Sequence, residues 1–197
     1  MFISKMLKKN ISIRKFAGSF DEIYFRANFL KKSVIKYVLK GSDVVFFETK
    51  SLVDKFISFN ANTFWFPNSR YKNELLIPDE YNKKFVFVSQ VKKTKGIYEF
   101  IAAASEIDNS YVFDIYGPIL DDDVLFEITL NSNVRYMGVL APQKVLMTLV
   151  GYDVLVLPSY HEGEGYPGVI LEAFSIGMPV ISTRWNSIPE IVNDKVN

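Results

Sequence analysis

The sequence predicts an α/β protein built on a doubly wound parallel sheet with flanking helices, preceded by a partial second α/β lobe. Three observations predict it. From residue 84 onward, strand-like and helix-like segments alternate with a regular rhythm, the pattern of βα units feeding a parallel sheet. Several of the strand-like segments are near-continuous apolar runs rather than alternating ones, as strands covered on both faces are. Helix-end signals fall at the joints of that rhythm. Pro142 suits a first helical position, Gly177 follows a last apolar turn, and Asp121, Asp122 and Asp123 crowd a helix start where the macrodipole favours negative charge.

Taken in order, residues 11–16 (ISIRKF) read as a strand and residues 21–40 as one long amphipathic helix closed by Gly41. Residues 43–48 (DVVFFE) form the next strand, 49–59 a helix and 63–66 (TFWF) a short strand. A turn at 67–70 (PNSR) leads into a connector over 71–83. A lobe boundary is placed there, giving an N-terminal lobe over 1–77 and a larger lobe over 78–197. In the larger lobe the expected strands are 84–89 (KFVFVS), 111–116 (YVFDIY), 133–137 (NVRYM), 153–157 (DVLVL) and 179–183 (PVIST). The expected helices are 96–106, 122–130, 142–150, 168–176 and 187–192. The first lobe supplies too few strands for an independent sheet of usual size, and only five residues follow the last helix. The chain therefore reads as a fragment of a longer two-lobed protein, or as a degenerate member of its family.

Composition narrows the function classes. Of 197 residues, 49% are hydrophobic and 15% aromatic, so a packed core is expected. A net charge of +1 gives no bulk attraction for nucleic acid. Cysteine is absent, which removes disulfides and thiolate ligands from this chain and fits a reducing cytosol. One histidine cannot make a multi-histidine metal centre, and neither Asp114 nor Asp121, Asp122 and Asp123 have metal-ligand spacing. The opening MFISKMLKKN is too polar for a signal peptide, and no stretch reaches the roughly 18 apolar residues of a membrane span. Lys8, Lys9, Lys31, Lys32 and Lys36 read as a solvated basic face, with peripheral contact to an anionic membrane as the alternative.

The most informative segment runs from Tyr160 to Phe174 (YHEGEGYPGVILEAF). It is a carboxylate-bearing, glycine-rich loop between a buried strand and an apolar helix, and such a loop aims backbone N–H groups at an anion, typically a phosphate. Glu172 lies inside the helix with apolar neighbours on nearly every side, which is costly unless something pairs with it. Were Glu164 and Glu172 both helical, they would stand about 12 Å and about 80° apart, too far for a carboxylate pair acting on one bond, which needs roughly 5 Å. With Glu164 in the loop and Glu172 in the helix they could meet different parts of one long ligand. The plainer reading makes one a dipole partner and the other a solvated helix residue.

A second basic turn, Ser89-Gln90-Val91-Lys92-Lys93-Thr94-Lys95-Gly96, follows another buried strand. Its lysines could hold a diphosphate as point charges, or could simply be solvated; the P-loop spacing is absent. Gly163, Gly165 and Gly168 match G-x-G-x-x-G literally, so a dinucleotide-dependent oxidoreductase has to be weighed. Against it, residues 158–162 separate strand from first glycine, Glu164 would sit beside a pyrophosphate, and only 29 residues follow the motif. His161 reads first as structural, with a site role as the alternative. The run Phe64-Trp65-Phe66 reads as packing.

Together these residues resemble the C-terminal half of the retaining GT-B glycosyltransferases of family four, the glycosyl transferases group 1, with a truncated N-terminal lobe before it. The motif E-G-[FY]-P/G-x-V-x-x-E-A is matched by residues 164–173, the following small-residue-G-x-P-V-I by 176–181, and [GS]-x-P-E-[IL] by 187–191, with Leu157-Pro158-Ser159 as the lead-in. The resemblance runs from about Phe16 to the end. It implies a GT-B type, Rossmann-like fold. It also implies a nucleotide-diphosphate sugar as donor substrate, with no cofactor and no metal. Glu164 would meet the donor sugar near the reacting carbon, and Glu172 would hold the ribose. The backbone of Gly165, Tyr166, Pro167 and Gly168 would meet the diphosphate, and Lys95 would bind it too. Two departures stand out. Ser89-Gln90 replaces the usual Gly-Arg, so Gln90 takes the place of a phosphate cation for which Lys92 or Lys93 would have to substitute. The family's N-terminal glycine-rich loop has no counterpart.

The function expected from all this is transfer of a sugar, with retention, from a nucleotide sugar to a glycan or lipid-linked acceptor in surface polysaccharide synthesis. The expected location is cytoplasmic, peripheral at the inner face of the membrane if the basic face is used. The alternative is a non-catalytic donor-lobe remnant or binding module that needs a complementing N-terminal lobe or partner chain.

Overall fold

The structure, a computed structural model, describes residues 7, 9–16, 18–74 and 80–194. Lys8 and the expected boundary between residues 77 and 78 lie outside these. The chain divides into two compact units, Met1–Asn68 with Glu162–Tyr166, and Ser69–His161 with Pro167–Asn197.

The first unit holds β1 (Ser12–Lys15), α1 (Phe20–Phe25), α2 (Phe29–Gly41), β2 (Val44–Phe47), α3 (Lys50–Phe56) and β3 (Thr63–Trp65). The strands form a parallel sheet in the order β1-β2-β3, with Arg14 opposite Phe46 and Phe46 opposite Phe64. The helix expected over 21–40 is two helices. Asn28 takes an extended conformation and its side chain accepts from Lys31 N at 3.0 Å, so a strong N-cap starts a second helix where periodicity alone continues the first. Thr49 caps α3 in the same way. The core of this unit is aromatic. Phe47 and Phe56 are fully buried, and the Phe56 ring lies 4.9 Å from that of Phe20 and 5.3 Å from that of Phe47, within the range of favourable ring pairs.

The second unit holds β4 (Lys84–Val88), α4 (Ile97–Ser105), β5 (Val112–Tyr116), α5 (Val124–Thr129), β6 (Val134–Tyr136), α6 (Val145–Leu149), β7 (Val154–Leu157), α7 (Gly168–Ser175) and β8 (Val180–Ser182). Its five strands are parallel in the order β6-β5-β4-β7-β8. The chain starts at the central strand β4, winds outward through β5 and β6, then returns to the other side of β4 for β7 and β8. This is the doubly wound architecture that the apolar strands predict. Phe87, Phe100 and Phe113 pack between sheet and α4, with ring centroids 5.6 Å apart for Phe87–Phe100 and for Phe100–Phe113. The segment 142–150 starts as a 3₁₀ turn, Pro142–Lys144, before α6. The helix expected over 187–192 is only a 3₁₀ turn, Ile188–Glu190, because Ile191 has already left helical geometry at φ −120°. Among the described residues no helix is long and apolar enough to cross a membrane.

One polar cluster is built into this sheet. Asp114 on β5 is 2% exposed, and its carboxylate takes Nε and NH2 of Arg135 on β6 at 2.7 and 2.8 Å. Tyr152 donates to the same carboxylate at 2.6 Å, and Tyr116 lies 3.0 Å from the Tyr152 hydroxyl. Burial, then the Asp114 hydrogen bond, push the Tyr152 hydroxyl well above the usual tyrosine range, so it stays a donor. The fork of Arg135 satisfies a carboxylate that burial would otherwise make costly. Arg135→Met should therefore destabilise the protein by about 3 kcal/mol, by stranding a buried charge. Adding Asp114→Asn should recover part of that loss in denaturant titration. Single and double variants both as stable as the wild type would show that the cluster contributes nothing.

Candidate functional site

In a doubly wound sheet the chain reverses direction of winding at one point, and the crevice beyond the carboxyl ends of the strands there is where ligands bind. Here that point lies between β4 and β7, so the two loops that matter are those leaving these strands. They carry the two glycine-and-charge motifs of the sequence.

The loop after β4 carries Ser89, Gln90 and Val91, then the 3₁₀ turn Lys93–Lys95, and enters α4 through Gly96. Gly96 has φ +81°, and a Cβ there would lie 2.1 Å from the carbonyl oxygen of Pro158 in the loop after β7. Only glycine allows both the left-handed backbone and that approach. The loops are also hydrogen-bonded: Tyr160 N donates to Thr94 O at 2.9 Å, and Thr94 Oγ1 lies 3.4 Å from His161 Nδ1. His161 is further fixed through its backbone, which accepts from Trp185 Nε1 at 2.9 Å. Its position is thus that of a loop brace. Lys95 is half-buried on the turn, and Gln90 is exposed nearer the strand. Behind the loop, Lys93 N donates to Asp121.

The next five residues, Glu162–Tyr166, pack within the first unit. Gly18 N donates to Gly163 O at 3.3 Å, and a Cβ on Gly18 would lie 2.1 Å from Glu164 O. The Glu164 backbone is therefore seated directly on the Gly18 backbone, and Glu164 is only 6% exposed. Trp65 Nε1 donates to Glu48 O at 3.0 Å and to the Tyr166 hydroxyl at 3.2 Å, which fixes the buried Tyr166 ring. Gly163 stands apart from the end of β7, and Gly168 alone of the three glycines opens a helix, so the strand–turn–helix context of a dinucleotide fingerprint is not formed.

Pro167 occupies the N-cap of α7 and Gly168 its first position. Glu172 follows one turn later, and its partner is Arg70. Nε and NH2 of Arg70 reach Glu172 Oε1 at 3.3 and 3.1 Å. The turn 67–70 gave no sign of this in the sequence, since the pair is separated by 102 residues. Gly18 and Thr94 escaped notice for the same reason: their importance lies in backbone contacts with distant loops. The one legible hint was the carboxylate itself, since an acid on an apolar helix needs a cation or donor somewhere. Among the described residues there is no group of three or more His, Cys, Asp or Glu that could hold a metal.

Comparison with known proteins agrees with this architecture. The family model for the glycosyl transferases group 1 matches residues 82–197. The O-antigen chain mannosyltransferase B of Escherichia coli is 36% identical over 78 residues, 38% of this chain and 20% of that protein. An uncharacterized glycosyltransferase of Methanocaldococcus jannaschii, MJ1607, is 26% identical over 145 residues, 71% of this chain and 36% of that one. The chain thus spans a fifth to about a third of the length of these curated relatives. Among solved structures, Anabaena Alr3699/HepE in complex with UDP superposes with a TM-score of 0.80 at 17% identity, covering 100% of this chain and 59% of that one. S. aureus TarM, in complex with fondaparinux, alpha-GlcNAc-glycerol and UDP, gives 0.73 at 21% identity over 98% and 41%. At those identities the likeness establishes a shared fold.

The contact between the two loops is directly testable. Gly96→Ala forces a side chain into a left-handed position and against the Pro158 backbone, and should cost about 3 kcal/mol. Gly138 has φ +89° with nothing within 4 Å of its would-be Cβ, so Gly138→Ala should cost only about 1 kcal/mol of backbone strain. Equal losses in thermal unfolding would show that the close approach at Gly96 does not constrain the fold.

Proposed function

The chain belongs to the glycosyl transferases group 1 family, and on that premise we propose that it is the donor-binding part of a glycosyltransferase. The donor is a nucleotide-diphosphate sugar, and the acceptor a glycan or lipid-linked glycan of surface polysaccharide synthesis. The observation that carries this reading is the joining of the loops after β4 and β7 at the switch point of the sheet, through Gly96–Pro158 and Tyr160–Thr94. The joined loops bring a lysine-bearing turn to the crevice from which α7 departs. The relatives add weight, since one is an O-antigen mannosyltransferase and two solved folds of this kind were captured with UDP.

In this reading the diphosphate lies at the N-terminus of α7, where the first N–H groups of a helix have no intrahelical partner. Lys95 supplies a positive charge on the neighbouring turn, and Gln90 a neutral hydrogen-bonding group where relatives of the resembled pattern carry Arg. Glu172 accepts from the ribose hydroxyls. Glu164, Gly165 and Tyr166 belong to the sugar end: Glu164 binds hydroxyls of the donor sugar near the anomeric carbon, on a backbone held by Gly18. During transfer the bond from the anomeric carbon to the diphosphate oxygen breaks and its electron pair goes to the diphosphate, while an acceptor hydroxyl oxygen bonds to the anomeric carbon and gives up its proton to the departing diphosphate. Fixed lysines and oriented N–H groups stabilise that developing charge at no cost of reorganisation. We assign retention of anomeric configuration and independence of metal ions to the same reaction.

Calorimetric titration of the folded chain with UDP, GDP and other nucleoside diphosphates should give a binding isotherm for at least one. Lys95→Ala should weaken it about tenfold, as loss of a hydrogen bond between charged groups does. A folded chain that binds none of them would overturn the donor-site reading. In the complete protein, Glu164→Gln should cut transfer while leaving nucleoside diphosphate affinity intact. Transfer at the wild-type rate in that variant would remove Glu164 from the chemistry, and activity abolished by EDTA would contradict metal independence.

A further inference from the structure

Among the described residues, Arg70 sets a guanidinium against a proposed ligand group from a segment that the family motifs leave out. We propose that Arg70 is a positioning residue for ribose recognition: it fixes the Glu172 carboxylate so that the carboxylate discriminates a ribose from a deoxyribose. The inference rests on the reading of Glu172 as the ribose acceptor given above.

Three features of the geometry support it. Both guanidinium contacts, from Nε at 3.3 Å and NH2 at 3.1 Å, converge on Oε1, so Oε2 is the oxygen the ribose diol would meet. The Glu172 side chain keeps 20% of its surface exposed beside an Arg70 side chain at 34%, so the pair is reachable by a ligand rather than sealed in the core. The segment that carries Arg70 is itself tied to the helix it serves. Asn73 N donates to Ser175 O at 2.8 Å, and Ser175 Oγ donates to Glu172 O at 2.7 Å.

Gly168 has a role in the same arrangement. A Cβ at Gly168 would stand 3.2 Å from Arg70 NH2, tighter than ordinary van der Waals contact. The missing side chain gives the guanidinium its place one turn before Glu172. A planar guanidinium held there is oriented in a way that a lysine ammonium on a flexible stem is not. A glutamate on a helix surface otherwise samples several rotamers, and fixing it before the ligand arrives removes that ordering cost from binding. Discrimination follows from the same fact. A rigid acceptor leaves an oxygen covered by the bound nucleotide but unpaired when the 2′-hydroxyl is absent, whereas a mobile one relaxes toward water.

The test measures affinities of UDP and GDP, each beside its 2′-deoxy counterpart, in the wild-type chain, Arg70→Ala, Arg70→Gln and Glu172→Gln. Circular dichroism confirms that each is folded. Whichever nucleotide binds, the wild type should prefer the ribose form by about tenfold. Glu172→Gln should lose the preference, and both Arg70 variants should reduce it to less than about threefold while still binding the deoxy form nearly as well as the wild type does. An Arg70 variant that keeps the wild-type preference while Glu172→Gln loses it would overturn the role of Arg70 and leave the ribose reading standing. Tighter ribose binding without Arg70 would also overturn it, by showing that the arginine competes for Glu172. A wild type that binds but shows no preference would bring down the ribose reading itself.

Discussion

The structure depends on one close backbone approach, that of Gly96 to Pro158 at the switch point of the larger sheet. Parallel strands β4 and β7 stand side by side, and the loops leaving them must share the space above their carboxyl ends. A side chain at position 96 would separate them. With glycine there, Thr94 O accepts from Tyr160 N, and the lysine-bearing turn is held against the start of the loop after β7. Lys95, between Thr94 and Gly96 on the turn, takes its position from that join. The turn cannot move without breaking the hydrogen bond, and α7 starts only a few residues beyond it.

Two carboxylates show how the same chemical problem is solved for different ends. Asp114 is buried in the sheet and its carboxylate takes Arg135 and Tyr152, so it is satisfied within the fold. Glu172 is held by Arg70 through one oxygen only and stays partly exposed. Saturation and burial mark the first as structural. Incomplete saturation at an accessible place, one turn into α7, is what the proposed role of the second as a ligand acceptor requires.

The doubly wound lobe was legible because its inner strands are covered on both faces, so KFVFV and VLVL announce themselves without any knowledge of neighbours. The loop from Glu162 to Gly168 was legible as a motif, since its glycines and carboxylates are contiguous. What was not legible is whatever depends on distance along the chain. Arg70 reads as the end of a turn until the fold lays it on α7, and Gly18 reads as an ordinary loop glycine until the Glu164 backbone is found against it. The break at Asn28 was missed for a local reason. The apolar period runs through it, and only the side-chain cap to Lys31 N decides that two helices form. The 3₁₀ turn at Ile188–Glu190 likewise shows that a Pro and an apolar pair suffice to start helical geometry but not to propagate it.

The central claim is the proposal that a nucleoside diphosphate binds between the β4 loop and the N-terminus of α7. Amide hydrogen exchange of the folded chain, with and without a saturating nucleoside diphosphate, tests this most directly, because it reads backbone groups rather than the consequences of a substitution. The account predicts slowed exchange in peptides covering residues 92–97 and 166–171 together. Saturated binding with protection in only one of these segments, or confined to other parts of the chain, would contradict it.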